Sequence, residues 1–130
     1  MFNVNPFAMP SIPTISPAEA AQSIQDFRLV DVREVPEYYG PAGHVPGAEL
    51  APLSNLSILA PQWKRNEKIL VMCQSGGRSA KAVQMLQGMG FDDVTNMAGG
   101  MMGWLSHGLP NCGSSHAPKE GVQAACDNQG

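Results

Sequence analysis

Residues 69–79 have the sequence ILVMCQSGGRS, and they indicate the architecture more strongly than any other stretch. Ile69 to Met72 are apolar without alternation, which is typical of a central strand in a parallel sheet covered on both faces. Cys73 follows at the carboxyl end of that strand, where open α/β sheets bind their ligands. Small polar residues and glycines then lead into an amphipathic pattern, so the stretch predicts a strand, a loop and a helix.

Strands and helices also alternate on both sides of this stretch. Ser16 begins a helix with Pro17 in its first turn and Glu19 placed to complete a capping box. The other predicted elements are strands at 28–32, 48–50 and 94–97, a polar loop at 33–47, a helix at 53–59 ending at Pro61, a helix after Ser79 that Gly90 closes, and a helix at 101–107. This order predicts an α/β fold with a mostly parallel central sheet and helices on both faces.

Length and composition predict one small domain. The chain has 130 residues, of which 43% are hydrophobic and 15% charged, so a buried core is feasible. Its formal charge of −3 leaves no basic surplus for nucleic acid, and no stretch approaches the ~20 apolar residues of a membrane helix. Three cysteines form no disulfide framework, and the start of the chain does not resemble a secretory signal. We therefore expect a cytoplasmic protein with neither a nucleic-acid nor a membrane partner.

Cys73 is the candidate nucleophile, because the residues after it are suited to stabilising a thiolate. A free cysteine has a pKa of about 8.5 and is only about 3% ionised at pH 7. Converging loop amides, the positive end of the next helix and the nearby Arg78 would each favour the anion. Alternatively, Cys73 is a small buried apolar residue, as free cysteines usually are. Two glycines, an arginine and a helix start directly after it favour the nucleophile.

The chain resembles the single-domain rhodaneses, which are sulfurtransferases. The resemblance covers about residues 15–110 and depends on several segments in the family's order: Leu29 to Glu34, Glu37-Tyr38, Gly43 to Ala48, Ile69 to Ser79, Gly90-Phe91, Gly99-Gly100, Trp104 and Gly108 to Pro110. It implies a rhodanese-like fold in one domain. We expect an extended arm at residues 1–14, the rhodanese-like domain at 15–110 and a flexible tail at 111–130.

The resemblance implies thiosulfate:cyanide sulfurtransferase activity with Cys73 as the catalytic residue. The substrate-binding residues it implies are those of the following loop: Gln74, Ser75, Gly76, Gly77, Arg78 and Ser79. Cys73 would take a sulfane sulfur from thiosulfate or another small sulfur-containing anion, carry it as a persulfide, and pass it to cyanide, a thiol or a protein. The resemblance implies no metal and no other cofactor.

Two alternatives to a sulfurtransferase are a non-catalytic protein-interaction or sulfur-carrier module, and a phosphatase or arsenate reductase. Many rhodanese-like domains lack the cysteine and serve as interaction modules, but here Cys73 and its loop are intact. Related phosphatases and arsenate reductases have a longer loop between cysteine and arginine. The four residues between Cys73 and Arg78 favour a cradle sized for one sulfur over a phosphoryl group. Two extra residues relative to the family, within residues 39–42, affect the expected shape of the rim.

Three charged residues near the loop have expected secondary roles. Arg78 is expected to combine attraction of an anion with a tie to a carboxylate such as Glu34 or Glu37. Arg33 is expected either to guide an anion or, more commonly, to pair at the surface. Asp31 is expected to accept hydrogen bonds from loop amides and not to act as a base.

The remaining candidates are assigned mainly structural roles. His44 is expected to be a hydrogen-bonded structural histidine, and Trp104 a core anchor. Three methionines give the turn at Gly99-Gly100 a thioether-rich rim, and such a cluster more often fills the core than binds a metal: Met97, Met101 and Met102. Cys112 and Cys126 would be inert, pair under oxidation, or relay sulfur from Cys73.

Overall fold

The computed structural model describes residues 12–112. In this part of the chain, five strands form one sheet in the order β1-β5-β4-β2-β3, and all four neighbouring pairs are parallel. The strands are β1 (Thr14–Ile15), β2 (Arg28–Asp31), β3 (Glu49–Leu50), β4 (Lys68–Met72) and β5 (Asp93–Met97). The predicted α/β fold with a parallel sheet is confirmed.

Helices cover both faces of the sheet, as predicted. They are α1 (Pro17–Gln22), α2 (Val35–Tyr38), α3 (Leu56–Leu59), α4 (Gly77–Gly88) and α5 (Gly100–Ser106). Short 3-10 turns add Ile24–Asp26, Leu53–Asn55 and Ala60–Gln62. Helices α3 and α4 pack on one face, and α1 and α5 pack on the other.

Strand β4 lies at the centre of the sheet, and its side chains pack into both halves of the core. Ile69 and Val71 join the cluster beneath α3 and α4. Leu70 and Met72 join the cluster beneath α1 and α5. A strand buried on both faces needs apolar residues at every position, which explains why its sequence does not alternate.

The helix boundary signals in the sequence are confirmed. The Ser16 hydroxyl accepts a hydrogen bond from the Glu19 amide at 3.1 Å, and the Glu19 carboxylate accepts one from the Ser16 amide at 2.9 Å. At the end of α4, Gly90 has φ +97°, and the Phe91 amide donates to the Leu86 carbonyl. That bond and the positive φ are those of the predicted Schellman motif.

Three segments differ from the sequence prediction. Helix α4, predicted to follow Ser79, begins at Gly77. The predicted polar loop at 33–47 contains α2, which is capped by reciprocal bonds between Glu34 and Glu37 and has Pro36 in its first turn. The predicted helix at 53–59 is a 3-10 turn, one α-helical turn and a second 3-10 turn. Pro61 lies within that second turn, where a fixed φ and a missing N–H are tolerated, and so it does not end the segment at once.

The two ends of the described range contact the domain. Thr14 and Ile15 form β1 at the edge of the sheet, and His44 forms an antiparallel bridge with Cys112. The Asn111 side chain donates to the Ala42 carbonyl at 2.7 Å. Residues 1–11 and 113–130, which include most of the expected arm and tail and Cys126, lie outside the described residues. Between residues 12 and 112, no helix is both long and apolar enough to cross a membrane.

Candidate active site

Cys73 directly follows β4, and its side chain is enclosed by the start of α4. The residue is 1% exposed and is a free cysteine. The Gly76 amide donates to the Cys73 sulfur at 3.0 Å, and the Ser79 hydroxyl oxygen lies 3.4 Å from the same sulfur. The loop therefore turns back over its own first residue and directs polar groups at the sulfur.

Gly76 makes this reversal possible. It caps α4 with φ +119° and ψ −15°, a left-handed conformation that a side chain makes costly. A Cβ at Gly76 would meet only the Gly99 nitrogen, at 3.8 Å, so backbone conformation and not space requires the glycine. This left-handed conformation directs the Gly76 amide at the sulfur.

The surroundings of Cys73 favour its thiolate form. Burial raises the pKa of the thiol, because it disfavours the charged form. Hydrogen bonds from the Ser79 side chain and from the amides of Ser79, Gly76 and Ser75 act in the opposite direction. The hydrogen bonds outweigh burial, and the pKa of Cys73 lies below its ordinary value.

Helix α5 fixes the loop from its other side through main-chain contacts. The Met101 amide donates to the Cys73 carbonyl at 2.7 Å, and the Met102 amide donates to the Gln74 carbonyl at 3.1 Å. Gly100 has φ +56°, and a Cβ there would overlap the carbonyl oxygen of Cys73. Only glycine allows α5 to approach this closely.

Arg33 supports the loop from within the protein. Its side chain is 1% exposed and pairs with Asp31, which is fully buried, through an Nη2–Oδ2 distance of 2.9 Å. It also donates to the Gly43 carbonyl at 2.8 Å and to the Gln74 side-chain oxygen at 3.2 Å. The expectation of surface pairing for Arg33 is wrong, because these partners replace water around the guanidinium. Asp31 accepts a bond from the Arg33 amide at 3.0 Å, as expected of a residue that binds loop amides.

Arg78 is tied to helix α2 by a two-pronged ion pair. Its guanidinium donates to the two carboxylate oxygens of Glu37 at 2.7 and 2.8 Å. Those hydrogen bonds lower the pKa of Glu37 to about 2, and the pKa of Arg78 is raised mainly by the same bonds. The predicted tie to a carboxylate is thus observed with Glu37, and attraction of an anion by Arg78 stays a prediction.

His44 and Trp104 have the expected structural roles. The Nδ1–H of His44 donates to the Tyr38 carbonyl at 3.0 Å, and the two rings stack with centroids 3.8 Å apart. Burial is the main reason that the pKa of His44 is lowered, which favours its neutral form. Trp104 is buried, and its indole N–H donates to the Pro110 carbonyl at 2.6 Å.

Two of the three methionines fill the core, as is usual for such a cluster, and do not belong to the expected rim. Met97 and Met101 are fully buried in the core beneath α1 and α5, because both lie on the inner side of their elements. Met102 alone of the three is exposed. Within residues 12–112, no group of three or more His, Cys, Asp and Glu side chains is placed to bind a metal ion.

Asn96 is a site residue that the sequence reasoning missed. It lies on β5 beside Val71 of β4, two residues before Cys73, and is buried. Its side-chain oxygen lies 2.5 Å from the Ser79 hydroxyl oxygen. The available signal was a polar residue in a strand whose neighbour on the same face, Val94, is buried in the core. Such a residue needs a buried partner.

A family profile for the rhodanese-like domain matches residues 16–107, which include every strand except β1 and the whole Cys73 loop. The chain belongs to the rhodanese-like domain family. The resemblance stated from the sequence is thereby confirmed, together with the rhodanese-like fold.

Relatives and solved structures agree with this assignment. The chain is 34% identical over 97 residues to YrkF of Bacillus subtilis, named as a proposed sulfur carrier, covering 72% of this chain and 51% of YrkF. It is 33% identical over 86 residues to a sulfurtransferase of Allochromatium vinosum, covering 66% of this chain and 78% of the relative. A crystal structure of a rhodanese-related protein from Thermoplasma volcanium superposes with a TM-score of 0.69 at 30% identity, covering 75% and 95% of the two chains.

The named relatives include a sulfurtransferase and a proposed sulfur carrier, so the family to which this chain belongs contains proteins of both descriptions. The chain spans about half the length of the first curated relatives it matches, 51% of one and 49% of another.

Proposed function

We propose that this rhodanese-like protein is a sulfurtransferase that carries a sulfane sulfur on Cys73. One observation supports this most directly: the sulfur of a buried free cysteine accepts the Gly76 amide at 3.0 Å. A cysteine that served only to fill the core would not need a left-handed glycine that aims a donor at its sulfur. Intact Cys73 and its loop also weigh against a purely non-catalytic interaction module.

In the first step, the Cys73 thiolate attacks the outer sulfur of thiosulfate. A bond forms between Sγ and that sulfur, the S–S bond of thiosulfate breaks, and its electron pair leaves with sulfite. The cysteine becomes a persulfide whose terminal sulfur carries the negative charge. The lowered pKa of Cys73 favours the thiolate that this attack requires.

In the second step, an acceptor attacks the terminal sulfur of the persulfide. With cyanide, a carbon–sulfur bond forms, the S–S bond of the persulfide breaks, and thiocyanate leaves as Cys73 regains its thiolate. We propose that main-chain amides of the loop, residues 74–79, stabilise the persulfide between the two steps, since N–H groups directed at an anion bind it without the cost of reorganising water.

A sulfur carrier that passes its load to another protein is the second candidate. The likeness to YrkF favours it, because that protein is named as a proposed sulfur carrier. Both candidates use a Cys73 persulfide and differ in the acceptor. A carrier would load from thiosulfate or a persulfide donor but release its sulfur only slowly to cyanide or small thiols.

The test is loading and turnover by the purified protein. We expect thiosulfate and cyanide to give thiocyanate, and intact-mass analysis after thiosulfate alone to show one added sulfur on the peptide that contains Cys73. Cys73→Ser abolishes both signals, since a serine hydroxyl is a far weaker nucleophile at neutral pH. Measuring how fast thiosulfate, glutathione persulfide and polysulfide load the wild-type protein identifies the donor class.

A matched cysteine variant and an alternative substrate serve as controls. Cys126→Ser makes the same chemical change outside the loop sequence of residues 73–79, and we expect it to retain loading on Cys73. Activity that survives Cys73→Ser would show that another group is the nucleophile. Hydrolysis of an aryl phosphate at a comparable rate would instead favour the phosphatase alternative.

A further inference from the structure

Cys73, Ser79 and Asn96 form a buried line of polar atoms beneath the loop. The Ser79 hydroxyl oxygen lies 3.4 Å from the cysteine sulfur and 2.5 Å from the Asn96 side-chain oxygen. It also lies 3.2 Å from the Gly76 carbonyl. Ser79 is fully buried and Asn96 is 8% exposed, so bulk water does not substitute for these partners.

One hydroxyl proton cannot serve all of these acceptors. When the Asn96 oxygen faces Ser79, the hydroxyl donates to that oxygen and can only accept a hydrogen bond from Cys73, an arrangement that favours the thiol. When the Asn96 NH₂ group faces Ser79, it donates to the hydroxyl oxygen. The hydroxyl proton is then free to point at Cys73, where a bond to a charged sulfur is stronger than one to a neutral carbonyl.

The Asn96 amide is able to take either orientation. Ser79 is its one side-chain hydrogen-bond partner within residues 12–112. The two ends of a side-chain amide have nearly the same shape, so exchanging them needs only rotation of the terminal group. Both orientations are therefore open to the amide, which reaches the sulfur through one hydroxyl.

We infer that Asn96 is a positioning residue that turns the Ser79 hydroxyl towards the Cys73 sulfur whenever that sulfur is anionic. The inference rests on the proposed function of Cys73 as the sulfur carrier. It extends that proposal to a residue on β5 that does not contact the sulfur. In the thiol state, Cys73 donates to the Ser79 hydroxyl, which donates to Asn96. In the thiolate state, Asn96 donates to the Ser79 hydroxyl, which donates to Cys73.

Charged groups around the loop do not replace this connection. Arg78 interacts electrostatically with Cys73, but its guanidinium is bonded to Glu37. Arg33 reaches the loop at the Gln74 side chain and is paired with Asp31. Ser79 is the side chain whose polar atom lies within hydrogen-bond distance of the sulfur.

The experiment measures the apparent pKa of Cys73 from the pH dependence of its alkylation by iodoacetamide, with the modified peptide identified by mass. Asn96→Asp provides only acceptors and draws the Ser79 proton away, and we expect the pKa of Cys73 to rise by about one unit. Asn96→Leu removes the amide without adding charge, and we expect a smaller rise. In a Ser79→Ala background, Asn96→Leu should add no further shift.

Thr95→Val is the matched control, because Thr95 is the preceding residue of the same strand and faces the opposite side; it should not shift the pKa. An unchanged pKa of Cys73 in folded Asn96→Leu, or a full shift that persists without the Ser79 hydroxyl, overturns the inference.

If the Asn96 variants do not fold, NMR of the wild-type protein decides. The Asn96 NH₂ resonances should titrate with Cys73, and they should no longer do so in Ser79→Ala. If the Asn96 NH₂ resonances do not change as Cys73 titrates, the inference is wrong. Wild-type protein that titrates as expected but transfers no sulfur contradicts only the proposed function.

Discussion

Two arginines support the candidate loop from opposite surroundings. Arg33 is 1% exposed and binds Asp31, the Gly43 carbonyl and the Gln74 side chain at the same time. Arg78 belongs to the loop itself, is 38% exposed, and is bound through both its terminal nitrogens by Glu37. Both are ion pairs between an arginine and a carboxylate, yet solvent reaches only one of them.

The difference in solvent access predicts different roles for the two pairs. A buried charge that loses its partner cannot recover hydration, so breaking such a pair is costly whatever the intact pair contributes. An exposed pair is screened by water and contributes about 0–1 kcal/mol. The Asp31–Arg33 pair therefore fixes the position of the loop, and the Glu37–Arg78 pair adjusts the charge at its edge.

Arg33→Met gives the largest expected effect. The substitution leaves the fully buried Asp31 carboxylate without its cationic partner, and we expect the free energy of unfolding to fall by about 3–5 kcal/mol. Urea unfolding of the wild type and variant measures the change. Sulfur transfer should fall as well, because Gln74 loses its bond to the guanidinium.

Arg33→Lys is the control for charge in this experiment. It keeps a cation beside Asp31 but lacks the planar fork that binds three partners, so its loss of stability should lie between those of the wild type and Arg33→Met. If Arg33→Met is no less stable than Glu37→Gln, the buried pair does not contribute more to the fold than the exposed pair, and the different roles assigned to the two pairs are wrong.

Gly100→Ala tests a third support of the loop, which consists of main chain alone. The alanine Cβ would overlap the Cys73 carbonyl oxygen, and the φ of +56° is unfavourable for any side chain. We expect a loss of about 1–3 kcal/mol from the backbone strain and a large loss of sulfur transfer as the loop shifts. Gly108→Ala is the control: its φ is +72°, but nothing lies within 4 Å of its added Cβ. Equal losses of activity in both variants would show that strain, and not loop displacement, is responsible.

Patterns local in sequence predicted the fold well. The apolar run at residues 69–72, the capping box at Ser16 and the closing Gly90 each depend on neighbours within a few positions, and the structure confirms all three. Helix α2 was missed because it is one turn long, is capped by a glutamate in place of the usual small polar residue, and lies among loop-forming residues. Short elements of this kind are stabilised by tertiary contacts that no local pattern contains.

The candidate site was predictable only where it is continuous in sequence. Residues 73–79 and their turn towards the sulfur follow from the strand, the glycines and the helix start. The burial of Arg33 and the position of Asn96 depend on which strands become neighbours, since Asn96 meets Ser79 only because β5 lies beside β4. The sequence order of the strands does not reveal that pairing.

Glu37→Gln gives the smallest expected effect and tests the exposed Glu37–Arg78 pair. Because the pKa of Glu37 is lowered to about 2, its contribution to stability is present above pH ~4.5 and is lost as the pH falls towards 2. At pH 7 both side chains are about a third exposed, so we expect the free energy of unfolding to fall by no more than about 1 kcal/mol. This difference should disappear in acid.

The same substitution frees Arg78 and should lower KM for thiosulfate by up to about fivefold at low salt, with kcat little changed. Added salt should weaken the effect on KM. Glu34→Gln removes a charge beside the same short helix without breaking a bond to Arg78, so a KM decrease of the same size in that variant would assign the effect to net charge and not to the release of Arg78.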